Sequence, residues 1–109
     1  MKKIFAASAA AIALGFATSA SAVDFDADKA AAGEAVYNNH CAVCHVAGVA
    51  DAPKLDDAAA WAPRLALGLD ALQAVTLSGK GAMPPRGTAA SDEAAINGLH
   101  YMLKKVQGQ

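Results

Sequence analysis

Five consecutive residues, Cys41-Ala42-Val43-Cys44-His45, contain both cysteines of the 109-residue chain and one of its three histidines. Two thiols three positions apart, followed at once by an imidazole, form C-x-x-C-H, the attachment pattern of a c-type haem. The spacing has a chemical reason. Thiols at i and i+3 reach the two vinyl groups of one porphyrin and close thioether bonds, while the adjacent imidazole is held under the iron as an axial ligand. With two Cys and three His, a random ordering of the chain produces this pattern about once in 2,000 trials. Two other chemistries use the same residue types. A thiol–disulfide oxidoreductase sets C-x-x-C in a βαβ context, for which the sequence shows no strand pattern. A structural zinc site needs two further soft or imidazole donors, and His40 and His100 are the ones left to recruit. If haem takes both thiols, no disulfide can form.

Composition limits what can surround this motif. A chain of 109 residues holds one small domain. Nine Lys/Arg against ten Asp/Glu give a formal net charge of -1, unsuited to a general nucleic-acid binder. Two cysteines make neither a disulfide-dense scaffold nor a four-thiolate metal centre. Hydrophobic residues reach 55% while aromatics reach only 6%, so the usual bulk of a small core is scarce.

Part of the apolar excess lies at the start of the chain. Lys2 and Lys3 precede an apolar stretch from Ile4 to Ala17, broken only by Ser8 and Gly15, and Ala20-Ser21-Ala22 follows as a small-x-small exit. These features read as a secretory signal peptide over residues 1–22. The alternative, a membrane anchor, needs about 20 apolar residues, more than this stretch provides. The expected mature chain is a single domain over residues 23–109. Losing Lys2 and Lys3 takes its formal charge from -1 to -3. The expected compartment is oxidising, most simply a bacterial periplasm.

The elements that must position the motif read as helices. Lys29 to Asn38 is Ala-rich, with Asp26 and Asp28 where a helix N-terminus favours negative charge. Asp56 to Leu67 and Leu69 to Ser78 form shorter helices, separated by Gly68 and closed by Gly79. Ser91 is a natural N-cap for a last helix. Asp92 and Glu93 occupy its first turn, and Ala95, Ile96, Leu99, Met102, Leu103 and Val106 recur at helical spacing. Residues 46–55 and 79–90 read as loops, the second rich in Gly and Pro. The reading is all-α, with four to five short helices. A chain of this size buries only about 60–65% of its unfolded surface, so a large apolar cofactor would fill a core poor in rings.

At this point the chain resembles the class I cytochromes c, and within them the short bacterial cytochrome c-five group. The resemblance rests on Gly33-x-x-x-Tyr37-x-x-x-Cys41 before the haem motif. It continues with Ala52-Pro53-Lys54-Leu55, Trp61-Ala62-Pro63-Arg64, Gly79-Lys80-Gly81-Ala82-Met83-Pro84-Pro85 and Tyr101-Met102, covering about residues 29–106. It implies one haem c attached through Cys41 and Cys44, a crossing of first and last helices at Gly33, Tyr37 and Tyr101, and an electron-carrying role. It also implies that His45 and Met83 ligate the iron, that the Pro53 carbonyl accepts the His45 Nδ1–H, and that Trp61 and Arg64 hold the haem propionates. Many members of that group have a second cysteine pair that forms a disulfide, and this chain has none.

The sixth ligand separates electron transfer from gas binding or catalysis. The residues themselves also favour Met83, because a methionine between glycines and prolines has no helical face to fill. A loosely exposed methionine is the other reading of that position. Met102 lies on the apolar stripe of the last helix and reads as core. His40 is too near Cys41 to reach the far haem face. His100 is the second choice as ligand, although its helix position reads as surface. Pro53 could equally be an ordinary turn proline, and Trp61 could simply pack in the core.

Val43, Val46, Ala47, Val49, Ala50, Ala52, Met83 and Pro84 are expected to rim an exposed haem edge, with Lys54, Lys80 and Arg86 nearby. Such a patch would dock redox protein partners, electron donor and acceptor; scattered solvated Ala and Val is the plainer reading. The functional expectation is a periplasmic monohaem electron carrier without substrate turnover. The alternative is a haem enzyme or gas-binding sensor with an open sixth position.

Overall fold

The computed structural model describes residues 22–108. Residues 1–21, which contain all but the last position of the expected signal peptide, lie outside the described residues. The elements are α1 (Ala27–Val36), α2 (Ala42–His45), α3 (Ala58–Leu65), α4 (Leu69–Ser78) and α5 (Asp92–Gln107). Shorter 3₁₀ turns occupy Val49–Asp51 and Pro85–Thr88. No strand occurs among the described residues; one isolated bridge pairs Lys80 with Met83. No helix among them is long and apolar enough to cross a membrane.

Helix α1 begins two residues earlier than its apolar pattern indicates, because the Asp26 carboxylate accepts from the N–H groups of Asp28 and Lys29 at 2.8 and 3.0 Å. That contact satisfies two of the donors that every helix start leaves open. The helical path also continues past Asn38. A π-helical turn over Tyr37–Cys41 carries it into α2, with the Ala42 N–H reaching back to the Tyr37 carbonyl. A π turn inserts one residue and so rotates the next helical turn about the axis. Here it sits immediately ahead of the two cysteines and His45.

Helix α5 carries the core. Ser91 caps it, its Oγ accepting from the Ala94 N–H at 3.1 Å. Acids in its first turn and Lys104 and Lys105 in its last suit the helix dipole. Leu99 and Leu103 pack with Val23 and Leu72, against which Leu65 and Leu69 lean. One face round, Met102 and Val106 pack with Tyr37 and Trp61. The stripe read from the sequence is therefore buried, except that Ile96 is half-exposed.

Helices α1 and α5 form the most extensive packing in the fold. Their backbones meet at Gly33, where a built Cβ would lie 1.8 Å from the Asn97 carbonyl oxygen. Only glycine allows that approach. Tyr37 and Tyr101 stack beside it with ring centroids 5.2 Å apart. The expected crossing of first and last helices is present.

Candidate functional site

Cys41, Cys44, His45, Pro53, Trp61, Arg64 and Met83 all line one cavity of about 410 Å³. The seven residues singled out in the sequence thus converge from α2, α3 and the two loops. Apolar side chains from α4 and α5, including Leu72, Val75, Leu99 and Met102, close the inner wall.

His45 is the most constrained of them. Its Nδ1 lies 2.8 Å from the Pro53 carbonyl oxygen, and since a carbonyl only accepts, Nδ1 carries the proton. Nε2 is then left with its lone pair free for a metal. Burial pushes the imidazole pKa below its ordinary 6.5; the Pro53 carbonyl works against this, and the Arg64 charge adds to it. The neutral, ligating form is the one favoured. The loop that supplies Pro53 is itself pinned, because the Leu55 N–H donates to the His45 carbonyl at 3.0 Å.

Trp61 is buried beside His45. Its indole N–H donates to the Lys54 carbonyl at 3.0 Å, so the one donor it has is taken up by the protein backbone. The ring, buried at 3% exposure, packs with Tyr37, Met102 and Val106 and stands 6.0 Å from the His45 ring. From there it supports the 53–55 loop. Arg64 is exposed and gives one Nη1 bond to the Ala60 carbonyl at 2.7 Å, leaving further guanidinium donors.

Met83 sits in a loop tied at both ends. Its N–H donates to the Lys80 carbonyl at 2.9 Å, and its carbonyl accepts from the Lys80 N–H at 3.0 Å. Gly81, at φ 59°, turns the chain between them. Gly79 lies so close that a Cβ there would come within 2.6 Å of the Met83 carbonyl oxygen. Pro84 and Pro85 then restrict the chain beyond. Met102, read as core, is buried at 5% exposure, although part of it reaches the cavity wall.

Both thiols are free rather than joined, and both face the cavity. Burial raises the Cys41 thiol above its ordinary 9.0. A C-x-x-C oxidoreductase needs the reverse, a depressed thiolate. A zinc centre has no support either, as no group of three or more His, Cys, Asp or Glu able to hold a metal occurs among the described residues.

The surface reading of His100 is corrected by the structure. The ring is buried at 3% exposure and is not among the residues that line the cavity. Its Nδ1 accepts from the Asp26 N–H at 2.9 Å, and its Nε2, 3.2 Å from the Gln73 Oε1, donates there. It joins the start of α1 to α4. His40, by contrast, lines the cavity and lies 3.3 Å from the Thr88 Oγ1.

The residues present fit a covalently attached haem. The donor set comprises two unpaired thiols, an imidazole with its tautomer fixed and a thioether, around a cavity with largely apolar walls. Comparisons with known proteins agree. The family model described as cytochrome C oxidase, cbb3-type, subunit III matches residues 28–102. Cytochrome c-555 of Chlorobaculum tepidum is 40% identical over 102 residues, spanning 88% of this chain and 92% of that protein. Cytochrome c5 of Azotobacter vinelandii is 48% identical over 81 residues, spanning 72% and 95%. Among solved structures, a chain from the crystal structure of an electron transfer complex of nitrite reductase with cytochrome c is 52% identical. The match has a TM-score of 0.65 and covers 76% of this chain and 99% of that one. The chain belongs to the class I c-type cytochromes and has their fold, with Cys41 and Cys44 as the attachment points of its covalently bound haem c.

Proposed function

We propose that this chain is an exported, periplasmic monohaem electron carrier, with His45 and Met83 as the axial ligands and no substrate turnover. The observation that carries the reading is the convergence of Cys41, Cys44, His45 and Met83 on one cavity, with His45 Nδ1 bound to Pro53. Bound haem c supplies a one-electron ferric/ferrous couple. The Pro53 carbonyl holds the imidazole orientation and raises its basicity as a ligand. The Met83 thioether favours the ferrous state, and the apolar walls disfavour the extra positive charge of the ferric one, so the potential is positive. With the Trp61 N–H taken up, Arg64 is the residue assigned to a haem carboxylate, using charge-assisted donors.

The docking face lies around the cavity mouth. Val43, Val46 and Val49 are 74%, 62% and 50% exposed, more apolar surface than a solvated loop needs. Lys80 and Arg86 line the cavity and Lys54 is exposed on the adjoining loop, so basic groups gather on one side of a domain with an acidic net charge. A small apolar patch with a charged rim suits brief complexes with redox proteins. The nitrite reductase complex of the similar cytochrome c supports partners of this kind.

Carbon monoxide tests the closed-site reading. The ferrous holoprotein is expected to leave CO unbound at neutral pH and to titrate as a single one-electron couple. A high-spin ferric spectrum with ready CO binding would point instead to an open sixth position and a sensor or enzyme.

A further inference from the structure

His40 and Thr88 are 48 positions apart, yet their side chains meet at 3.3 Å at the edge of the cavity. Neither residue has a part in the proposed ligation of the iron. His40 belongs to the π turn that carries Cys41, and Thr88 ends the segment that comes after Met83. Between Met83 and Thr88 the backbone takes an unusual path. Arg86, Gly87 and Thr88 have φ values of 60°, 56° and 70°, three left-handed residues in a row. Such a conformation is costly for any residue with a Cβ, and most of all for a β-branched threonine. Strain of this sort persists only where neighbouring contacts hold it.

The segment packs chiefly on α4, with smaller contacts to α5 and the π turn. The Gly87 N–H donates to the Pro84 carbonyl at 2.9 Å and the Ala89 N–H to the Arg86 carbonyl at 3.0 Å. Arg86 pairs with Asp92 at 2.6 Å, but both side chains are well exposed, and such pairs contribute little. Among the described residues, the His40–Thr88 bond is the hydrogen bond that joins this segment to the cysteine-bearing helix. The strained run also borders the proposed ligand: Arg86, Gly87 and Thr88 line the same cavity as Met83, and only a glycine-sized gap separates the Gly87 backbone from the Met83 methyl, which would lie 3.9 Å from a Cβ built there.

We infer that the His40–Thr88 hydrogen bond is a latch that ties the strained 86–88 segment to the haem-attachment helix and thereby holds the Met83 thioether in place. His40 and Thr88 are positioning residues, acting on the iron through Met83; the inference rests on Met83 being the sixth ligand. The physical logic is a population argument. With the latch open, residues 86–88 relax out of the left-handed region and the cavity wall beside Met83 loosens. Met83 then competes less well with an added ligand for the iron. The Thr88 hydroxyl both donates and accepts, so the latch needs no particular protonation state of His40.

The test is imidazole binding to the ferric holoprotein, followed in the visible spectrum, alongside urea unfolding. Thr88→Val removes the hydroxyl and keeps the branched shape, and is expected to raise imidazole affinity about twofold, the effect of losing one exposed hydrogen bond. His40→Phe is expected to match it, Thr88→Ser to restore wild-type affinity, and the double variant to add nothing further. Wild-type affinity in Thr88→Val, with or without a loss of global stability, overturns the latch. So do additive effects in the double variant. Failure of the underlying ligation shows separately: in that case Met83→Ala leaves the far-red sulfur-to-iron band of the ferric wild type unchanged.

Discussion

Replacing Gly33 by alanine tests how the helices position the haem motif. A methyl there would lie 1.8 Å from the Asn97 carbonyl oxygen, 2.3 Å from its carbon and 2.8 Å from the Gly98 nitrogen. All three are backbone atoms, so no rotamer change relieves the overlap. Helices α1 and α5 must part by about 1 Å or more, loosening the Tyr37–Tyr101 stack and the cluster beneath it. Taken alone, glycine to alanine inside a helix stabilises by about 1 kcal/mol. Overpacking of a tight core costs about 1–3 kcal/mol, occasionally more, and a backbone-to-backbone clash belongs at the upper end. The expected net loss in Gly33→Ala is about 2 kcal/mol, read from guanidinium unfolding of the ferric holoprotein. Gly98→Ala is the control. Its methyl would meet Val36 Cγ1 at 3.2 Å, a side-chain end that need give only a few tenths of an ångström, and Cys41 Sγ at 3.5 Å, an ordinary contact, so its change is expected to stay within about 1 kcal/mol of zero. A stabilised Gly33→Ala protein, the outcome of helix propensity alone, would refute the close approach.

His100 makes stability depend on pH. Burial lowers its folded-state pKa, with the Lys29 charge acting the same way and Asp26 opposing. The unfolded chain therefore takes up the proton first. The stabilisation is complete above the ordinary histidine value of 6.5 and is lost as pH falls through the lower folded value. Urea midpoints measured from pH 8 down to 5 are expected to fall, and to fall less in His100→Asn. Identical slopes would sink the assignment. Asp26→Ala removes the two-donor cap of α1 and is expected to lower the thermal unfolding midpoint at neutral pH; an unchanged midpoint would remove the cap from the account. Charge reversal of Lys54 and Lys80 together, each to Glu, is expected to slow electron exchange with an acidic redox partner and flatten or invert its salt dependence. Stopped-flow rates that do not change would remove the basic rim from the docking face.

What could be read from the chain depended on the range of the interaction involved. C-x-x-C-H is local chemistry, and its two thiols and imidazole line one cavity. The bounds of α4 were legible because Gly68 and Gly79 flank it with φ values of 92° and 82°, and α5 because Ser91 caps a long apolar stripe. The continuation of α1 through Tyr37–Cys41 was hidden. Its Asn-Asn-His stretch has no helical signature, and a π turn there is not marked by any local pattern. His100 misled for a related reason. A polar residue inside a hydrophobic helix face stays buried only if remote groups satisfy it, and its partners lie 74 and 27 positions away. The indole donor of Trp61 likewise found a backbone carbonyl that no local pattern marks. The His40–Thr88 contact joins a turn to a strained loop, and neither segment announces the other.

Sulfur ligation by Met83 is tested most directly by the far-red sulfur-to-iron charge-transfer band of the oxidised holoprotein. Two methionines, Met83 and Met102, line the cavity, so the band is to be recorded in the wild type, in Met83→Ala and in Met102→Leu, with covalent haem attachment confirmed in each. The band is expected in the wild type and in Met102→Leu and is expected to vanish in Met83→Ala. Its survival in Met83→Ala, or its loss in Met102→Leu, would contradict ligation by Met83.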